Sequence, residues 1–130
     1  MPSCPFCQII EDESDRIVGA NEHAIAIRDA YPLTEGHTLI IPKRHEGSFF
    51  KLSKLEQHAV LELLSAQRSL LAEKLGVQDF NVGINDGPAA GQTVSHCHIH
   101  LIPRHDGDVA DPRGGVRWII PGKANYWGEQ

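Results

Sequence analysis

No apolar run in this chain of 130 residues approaches the roughly 20 needed to span a bilayer, and the polar opening Met1-Pro2-Ser3-Cys4 leads into no secretory apolar segment. A cytoplasmic protein without a membrane partner is therefore expected. No basic stripe or arginine-rich run is present either: 12 Lys and Arg face 17 Asp and Glu for a net charge of -5, so a nucleic-acid backbone is not the expected partner. A small phosphorylated ligand stays open, because it needs a local pocket of donors rather than net charge. Cysteine is scarce at three, an odd number that builds no secreted disulfide framework. Internal repeats and low-complexity linkers are missing, and the length suits one domain able to bury a core. Residues 1–130 are read as that domain, with 105–130 as an irregular C-terminal tail.

What is present follows two periods. Residues 53–74 carry a helical stripe of Leu52, Leu55, Ala59, Leu63, Ala66 and Leu70, widened by Val60, Leu64 and Leu71. Ser53 and Glu56 are spaced as a capping box and Gly76 as the stop. Short runs rich in branched residues read as strands: 16–19 and 24–29 as a hairpin around Asn21-Glu22, 37–42 ended by Pro42, 79–85, and 96–104. The N-terminal Cys4 to Ile10 reads as one or two helical turns. Three strands, a long helix and two further strands predict an α+β fold, a five-stranded antiparallel sheet packed with that helix and the short N-terminal one.

The chemistry gathers in His96-Cys97-His98-Ile99-His100-Leu101-Ile102-Pro103-Arg104. Alternation at period two puts three imidazoles on one strand face and the apolar residues on the other. Such crowding gives little packing benefit, and buried imidazoles without partners are costly. Two chemistries compete for the face. One is a metal held by three histidines, disfavoured because the first and third lie about 14 Å apart on a flat strand. The other is a neutral imidazole attacking phosphorus to form a phosphoramidate. The preceding loop, Asn85 to Ser95, is glycine-rich and able to wrap an anion with backbone N–H groups.

Cys4-Pro5-Phe6-Cys7 is ambiguous by itself, since a chance pair, a redox pair and half a zinc site share the spacing. His45 and His96 are candidates to complete a closed four-coordinate site. Asp29 reads first as a strand-end turn former, His23, His58 and His105 as surface residues, and Cys97 as a small core residue. Two tryptophans in the tail, at 118 and 127, imply docking onto the core, a second subunit or a ligand.

Gly36-His37-Thr38-Leu39-Ile40-Ile41-Pro42-Lys43-Arg44-His45, followed by Asn85 to Arg104 with its His-x-His-x-His, resembles the histidine triad (HIT) family across nearly all of Cys4 to Arg104. The resemblance implies a nucleotide hydrolase or transferase acting at an α-phosphate, with His98 as the nucleophile that becomes a nucleotidyl-histidine. It implies Asn85, Gln92 and Thr93 around the phosphate, His100 beside them and His37 as a buttress. It also implies Asp29 on the ribose hydroxyls, with Phe6, Ile9 and Ile27 lining the base pocket. Structural zinc on Cys4, Cys7, His45 and His96, and a homodimer, are implied as well. His100, where uridylyltransferase relatives tend to carry Gln, keeps the chain with the hydrolases. The Arg113-Gly114-Gly115-Val116-Arg117 segment resembles bacterial diadenosine-polyphosphate hydrolases. Nucleoside phosphoramidate hydrolysis, or a nucleotide-binding dimer with incidental hydrolysis, are the alternatives.

Overall fold

The computed structural model of the protein describes residues 3–128. A short helix α1 (Pro5–Glu11) is followed by strands β1 (Ile17–Ala20), β2 (Ala24–Arg28) and β3 (Thr38–Pro42), the long helix α2 (Lys54–Leu75), and strands β4 (Asp79–Ile84) and β5 (Ile99–Arg104). They make one five-stranded sheet in the order β1-β2-β3-β5-β4, antiparallel at every step. The α+β architecture expected from the sequence is the one observed. Among the described residues no helix is long and apolar enough to cross a membrane.

The sheet separates two apolar clusters, and strand alternation decides which residue joins which. Ala24, Ala26, Ile40, Cys97 and Ile99 meet Leu52, Val60 and Leu63 on the α2 side. Ile25, Ile27, Leu39 and Ile41 meet Phe6 and Ile9 of α1 on the other. Covered on both faces, β3 is buried at all five positions and β2 at four, so neither shows a polar face.

Helix α2 begins with the capping box between Ser53 and Glu56 and ends at Gly76 in the left-handed region, φ 68°. Its buried stripe is Ala59, Val60, Leu63, Gln67 and Leu71. The expected stripe is therefore out of phase at two of its leucines: Leu55 and Leu70 are exposed. Gln67 takes the inward place because Arg28 reaches across the sheet to it, Nη1 donating to Gln67 Oε1 at 3.0 Å and to Thr38 Oγ1 at 2.7 Å. That pairing satisfies a polar side chain which burial would otherwise penalise.

One expectation changes. Regular pairing in the histidine segment starts at Ile99, not His96, since residues 94–96 bend as they leave the glycine-rich loop. The tail carries no strand or α-helix among its described residues, and holds 3-10 turns at Gly115–Ile119 and Pro121–Lys123. Arg117 donates to the carbonyls of Ala124 and Lys123, and Arg113 lies over the Trp127 ring with 4.7 Å to its centroid.

Candidate active site and metal centre

Although only its last part is regular strand, the histidine segment keeps its alternation. Cys97 and Ile99 pack on the α2 side, while His98 and His100 look into a cleft on the other. Cys97 is buried with its thiol pushed up to about 12, mainly by desolvation, which makes it a core residue rather than a nucleophile. The three triad rings are spread along the segment. Phe6 stands edge-on between the first two, 5.8 Å from His96 and 5.1 Å from His98 between centroids, and His98 lies 5.3 Å from His100.

His98 has its Nδ1 2.8 Å from the carbonyl of His96. A carbonyl only accepts, so Nδ1 carries the proton and Nε2 keeps its lone pair. A second chain of bonds fixes the neighbouring rings. The Leu33 backbone N–H donates to His37 Nδ1 at 3.1 Å, so the neutral ring carries its proton on Nε2, which lies 3.0 Å from His100 Nδ1. His100 then accepts at Nδ1 and has its own N–H at Nε2. Burial pushes both His37 and His100 below the ordinary imidazole value; for His100 the nearby His98 and His37 add to it, while Asp29 opposes the shift at both. The neutral tautomers are thus the forms present near neutral pH.

Asp29 is the strand-end turn former expected from the sequence, and it also reaches the histidines. One carboxylate oxygen accepts from the Tyr31 backbone N–H at 2.8 Å, and the other stands 3.4 Å from His37 Nε2. Asp29, His37 and His100 converge closely enough to suggest metal ligands. Both His37 nitrogens already belong to the hydrogen-bonded chain, however, so the trio is read as a proton-ordering network.

The cleft has a volume of about 1090 Å³. Phe6, Asp29, His37, Asn85, Thr93, His98 and His100 line it, so the structure gathers seven residues singled out from the sequence. Gln92, Ile9 and Ile27 are not among its lining residues. Gln92 spends its amide on the loop, accepting from the Gly87 N–H at 2.8 Å and donating to the carbonyls of Gly47 and Val94. Ile9 and Ile27 lie in the apolar cluster beneath Phe6. Several contributors escaped sequence reasoning: the Leu33 N–H, which no side chain advertises, and Gly83 and Ile102; Trp118, singled out in the tail as a docking residue, lines the cleft beside them. The alternation running on past His100 was the available signal for Ile102.

Away from the cleft, Cys4, Cys7, His45 and His96 converge. His45 Nδ1 lies 3.2 Å from both Cys7 Sγ and His96 Nδ1, and His96 Nδ1 lies 3.4 Å from Cys4 Sγ and 3.6 Å from Cys7 Sγ. Zinc bonds of about 2.3 Å to sulfur and 2.0–2.1 Å to nitrogen give tetrahedral edges of roughly 3.3–3.8 Å, close to these separations. The Pro42 carbonyl accepts from His96 Nε2 at 2.7 Å, which leaves the Nδ1 lone pair facing the cysteines, the outer-shell arrangement of a metal-binding histidine. The donor set fits a closed zinc site, with no open position for a reacting group.

A sheet that presents an imidazole to a cleft beside a glycine-rich loop is an arrangement able to take an anionic group. The comparison with known proteins narrows this class: residues 11–107 match the HIT domain, and the chain belongs to the HIT family of nucleotide-binding hydrolases and transferases. A HIT-like protein of Mycoplasma genitalium is 42% identical over 106 residues, covering 80% of this chain and 74% of that one. The adenylylsulfatase HINT3 of Arabidopsis thaliana is 35% identical, over 81% of this chain and 54% of its own length. A zinc-bound histidine triad family protein from Mycobacterium smegmatis superposes with a TM-score of 0.69 at 33% identity, covering 84% of this chain and 80% of that one.

Proposed function

We propose that the protein is a nucleotide hydrolase that cleaves at the α-phosphate of a nucleotidyl substrate through a covalent intermediate on His98. The observation that carries this reading is the bond between His98 Nδ1 and the His96 carbonyl, which leaves Nε2 as a free nucleophile facing the cleft. Nε2 attacks phosphorus, a P–N bond forms, and the electron pair of the scissile bond departs with the leaving group. Where that group is an amine it takes a proton from solvent. The phosphorylated imidazole becomes a cation whose Nδ1–H is held by the carbonyl. Water then attacks the same phosphorus, the P–N pair returns to the ring, one proton goes to solvent, and the nucleoside monophosphate leaves.

His100 Nε2–H is placed to donate to the bridging atom while charge builds there, with Thr93 and Asn85 on the phosphate and the Gly87–Thr93 loop supplying backbone donors. Gln92 acts through that loop, holding its shape. Asp29 binds the ribose hydroxyls, and Phe6 forms the base wall, backed by Ile9 and Ile27. Cys4, Cys7, His45 and His96 hold a zinc ion that is structural. Such an ion would pin the start of α1, and with it Phe6, to the segment carrying His98. Support also comes from a relative named an adenylylsulfatase, which acts on an adenylyl compound, and from the zinc-bound relative. The active form is a homodimer, and the exposed Leu55 and Leu70, which share one side of α2, suit burial against a second copy. Dinucleoside polyphosphates and nucleoside phosphoramidates both offer the required phosphate; the choice between them falls to whatever receives the leaving group.

His98→Ala is expected to lower turnover of both compounds by at least about 10³-fold while nucleotide affinity, measured by calorimetric titration, changes little. Turnover retained by that variant would remove His98 as nucleophile. Near-zero rates of the unaltered protein on both compounds, with micromolar binding, would instead favour a nucleotide-binding role.

A further inference from the structure

Asn85 and Thr93, the side chains assigned to the α-phosphate, stand at the two ends of a loop that closes on itself. The Ala90 and Gln92 N–H groups donate to the Gly87 carbonyl at 3.1 Å each, and the Gly87 N–H returns to Gln92 Oε1 at 2.8 Å. A loop tied internally in this way moves as one body, so its aim is set by whatever fastens it from outside. The fastening comes from the segment that joins β3 to α2, residues 43–53.

That segment is itself well held. The Cys97 N–H donates to the Glu46 carbonyl at 2.7 Å, the Glu46 carboxylate accepts from the Ser48 N–H at 3.1 Å, and the Gln57 amide of α2 donates to the Phe49 carbonyl at 3.0 Å. From it two attachments reach the phosphate loop, one at each end. At the later end Gln92 Nε2 donates to the Gly47 carbonyl at 2.9 Å. At the earlier end Asp86 commits both carboxylate oxygens: Oδ1 accepts from the Phe49 N–H and Oδ2 from the Ser48 hydroxyl, each at 3.2 Å.

An acid in a glycine-rich loop is ordinarily a solvated turn former, but Asp86 is half-buried and both its oxygens have partners. Asp86 is not among the residues lining the cleft, whereas its neighbour Asn85 is. A carboxylate facing the cleft would repel a phosphate; turned onto the 48–49 backbone it does the opposite service, because bonds to an ionised acceptor are the stronger kind. The side chain is short, so the clamp leaves the adjoining backbone of Asn85 and Gly87 little play.

We propose that Asp86 is a positioning residue for phosphate recognition: clamped on Ser48 and Phe49, it holds Asn85 and the start of the loop where they meet the α-phosphate. The inference rests on the phosphate site given above and not on His98 being the nucleophile. Part of the affinity for the phosphate then belongs to a residue that never touches it. Removing the clamp costs the loop its aim while the sheet and the nucleoside half of the cleft stay in place.

Equilibrium binding of adenosine and of adenosine 5′-monophosphate, by calorimetric titration, separates aim from folding and needs no turnover. The unaltered protein is expected to bind the monophosphate at least about tenfold more tightly than the nucleoside. Asp86→Ala is expected to lower affinity for the monophosphate about tenfold and to leave that for adenosine within about threefold. Asp86→Asn is expected to restore most of the loss, since an amide oxygen can accept from the Phe49 N–H while its NH2 donates to the Ser48 oxygen. Retained adenosine binding shows that each variant is folded. Equal losses on both ligands would make Asp86 a general structural residue and overturn the proposal, as would an asparagine variant no better than the alanine one. An advantage for the monophosphate that Asp86→Ala leaves intact would overturn this inference alone. If the unaltered protein bound the monophosphate no more tightly than adenosine, the phosphate site would fall, and the inference with it.

Discussion

Single histidines do different work here because each ring has a different partner for its second nitrogen. His96 is bonded to Pro42, His98 to the carbonyl of His96 and His100 to His37. That the segment mattered was plain from the alternation; which nitrogen each ring keeps free was not, since the deciding partners are two backbone carbonyls and the Leu33 N–H, distant in sequence or without a side-chain signature. Gln92 shows the same gap: its position in the loop was legible, its engagement with three backbone groups was not. His37→Ala removes the donor that sets the His100 tautomer without touching the nucleophile. It is expected to cut kcat by about 10²-fold with KM little changed, in steady-state kinetics on either substrate class. For the cysteines, metal analysis of untagged protein should give about one zinc per chain, lost together with thermal stability in Cys7→Ser. A metal-free preparation with the same melting temperature would refute the site.

At the level of elements, caps and stops were readable because they are local chemistry. Ser53, Glu56 and Gly76 each do what their type and spacing announce. Glu56 is further drawn down to about 2, chiefly by its bonds with Arg44 and then the Ser53 backbone. The inward face of α2 was harder, since its choice of Gln67 over Leu70 depends on Arg28, nearly forty residues earlier. Leu71, 1% exposed on that inward face, is expected to cost about 2–5 kcal/mol when changed to Ala, read from chemical denaturation. Leu61→Ala, on an exposed side of α2 away from Leu70, should cost well under half as much. An equal loss would mean that the observed stripe is misplaced.

Across the whole molecule, neutral buried imidazoles tie stability to pH. His37 and His100 titrate below the ordinary value of 6.5 in the folded protein, so as pH falls through about 6.5 the unfolded chain takes up protons that the folded one refuses. Stability is therefore expected to be level above that point and to decline below it, down to the folded values. Melting temperatures at pH 7.5 and 5.5 check the sign: the lower one belongs to pH 5.5, and a reversal would mean these rings are charged in the fold. Sedimentation at micromolar concentration is expected to show twice the chain mass, and a monomer at that concentration would remove the homodimer. The tail was the least legible part of the chain, because the order of residues 105–128 comes from positive-φ glycines and arginine bonds to carbonyls rather than from a hydrophobic period. The sheet order itself bears on how the molecule comes into being. β5 leaves the ribosome last of the five strands, yet it lies between β3 and β4, so until Arg104 has emerged β4 has no partner and the sheet cannot close. The strand that follows the proposed nucleophile is also the keystone of assembly, and a chain cut short before the histidine segment is left with neither a closed sheet nor a reactive imidazole.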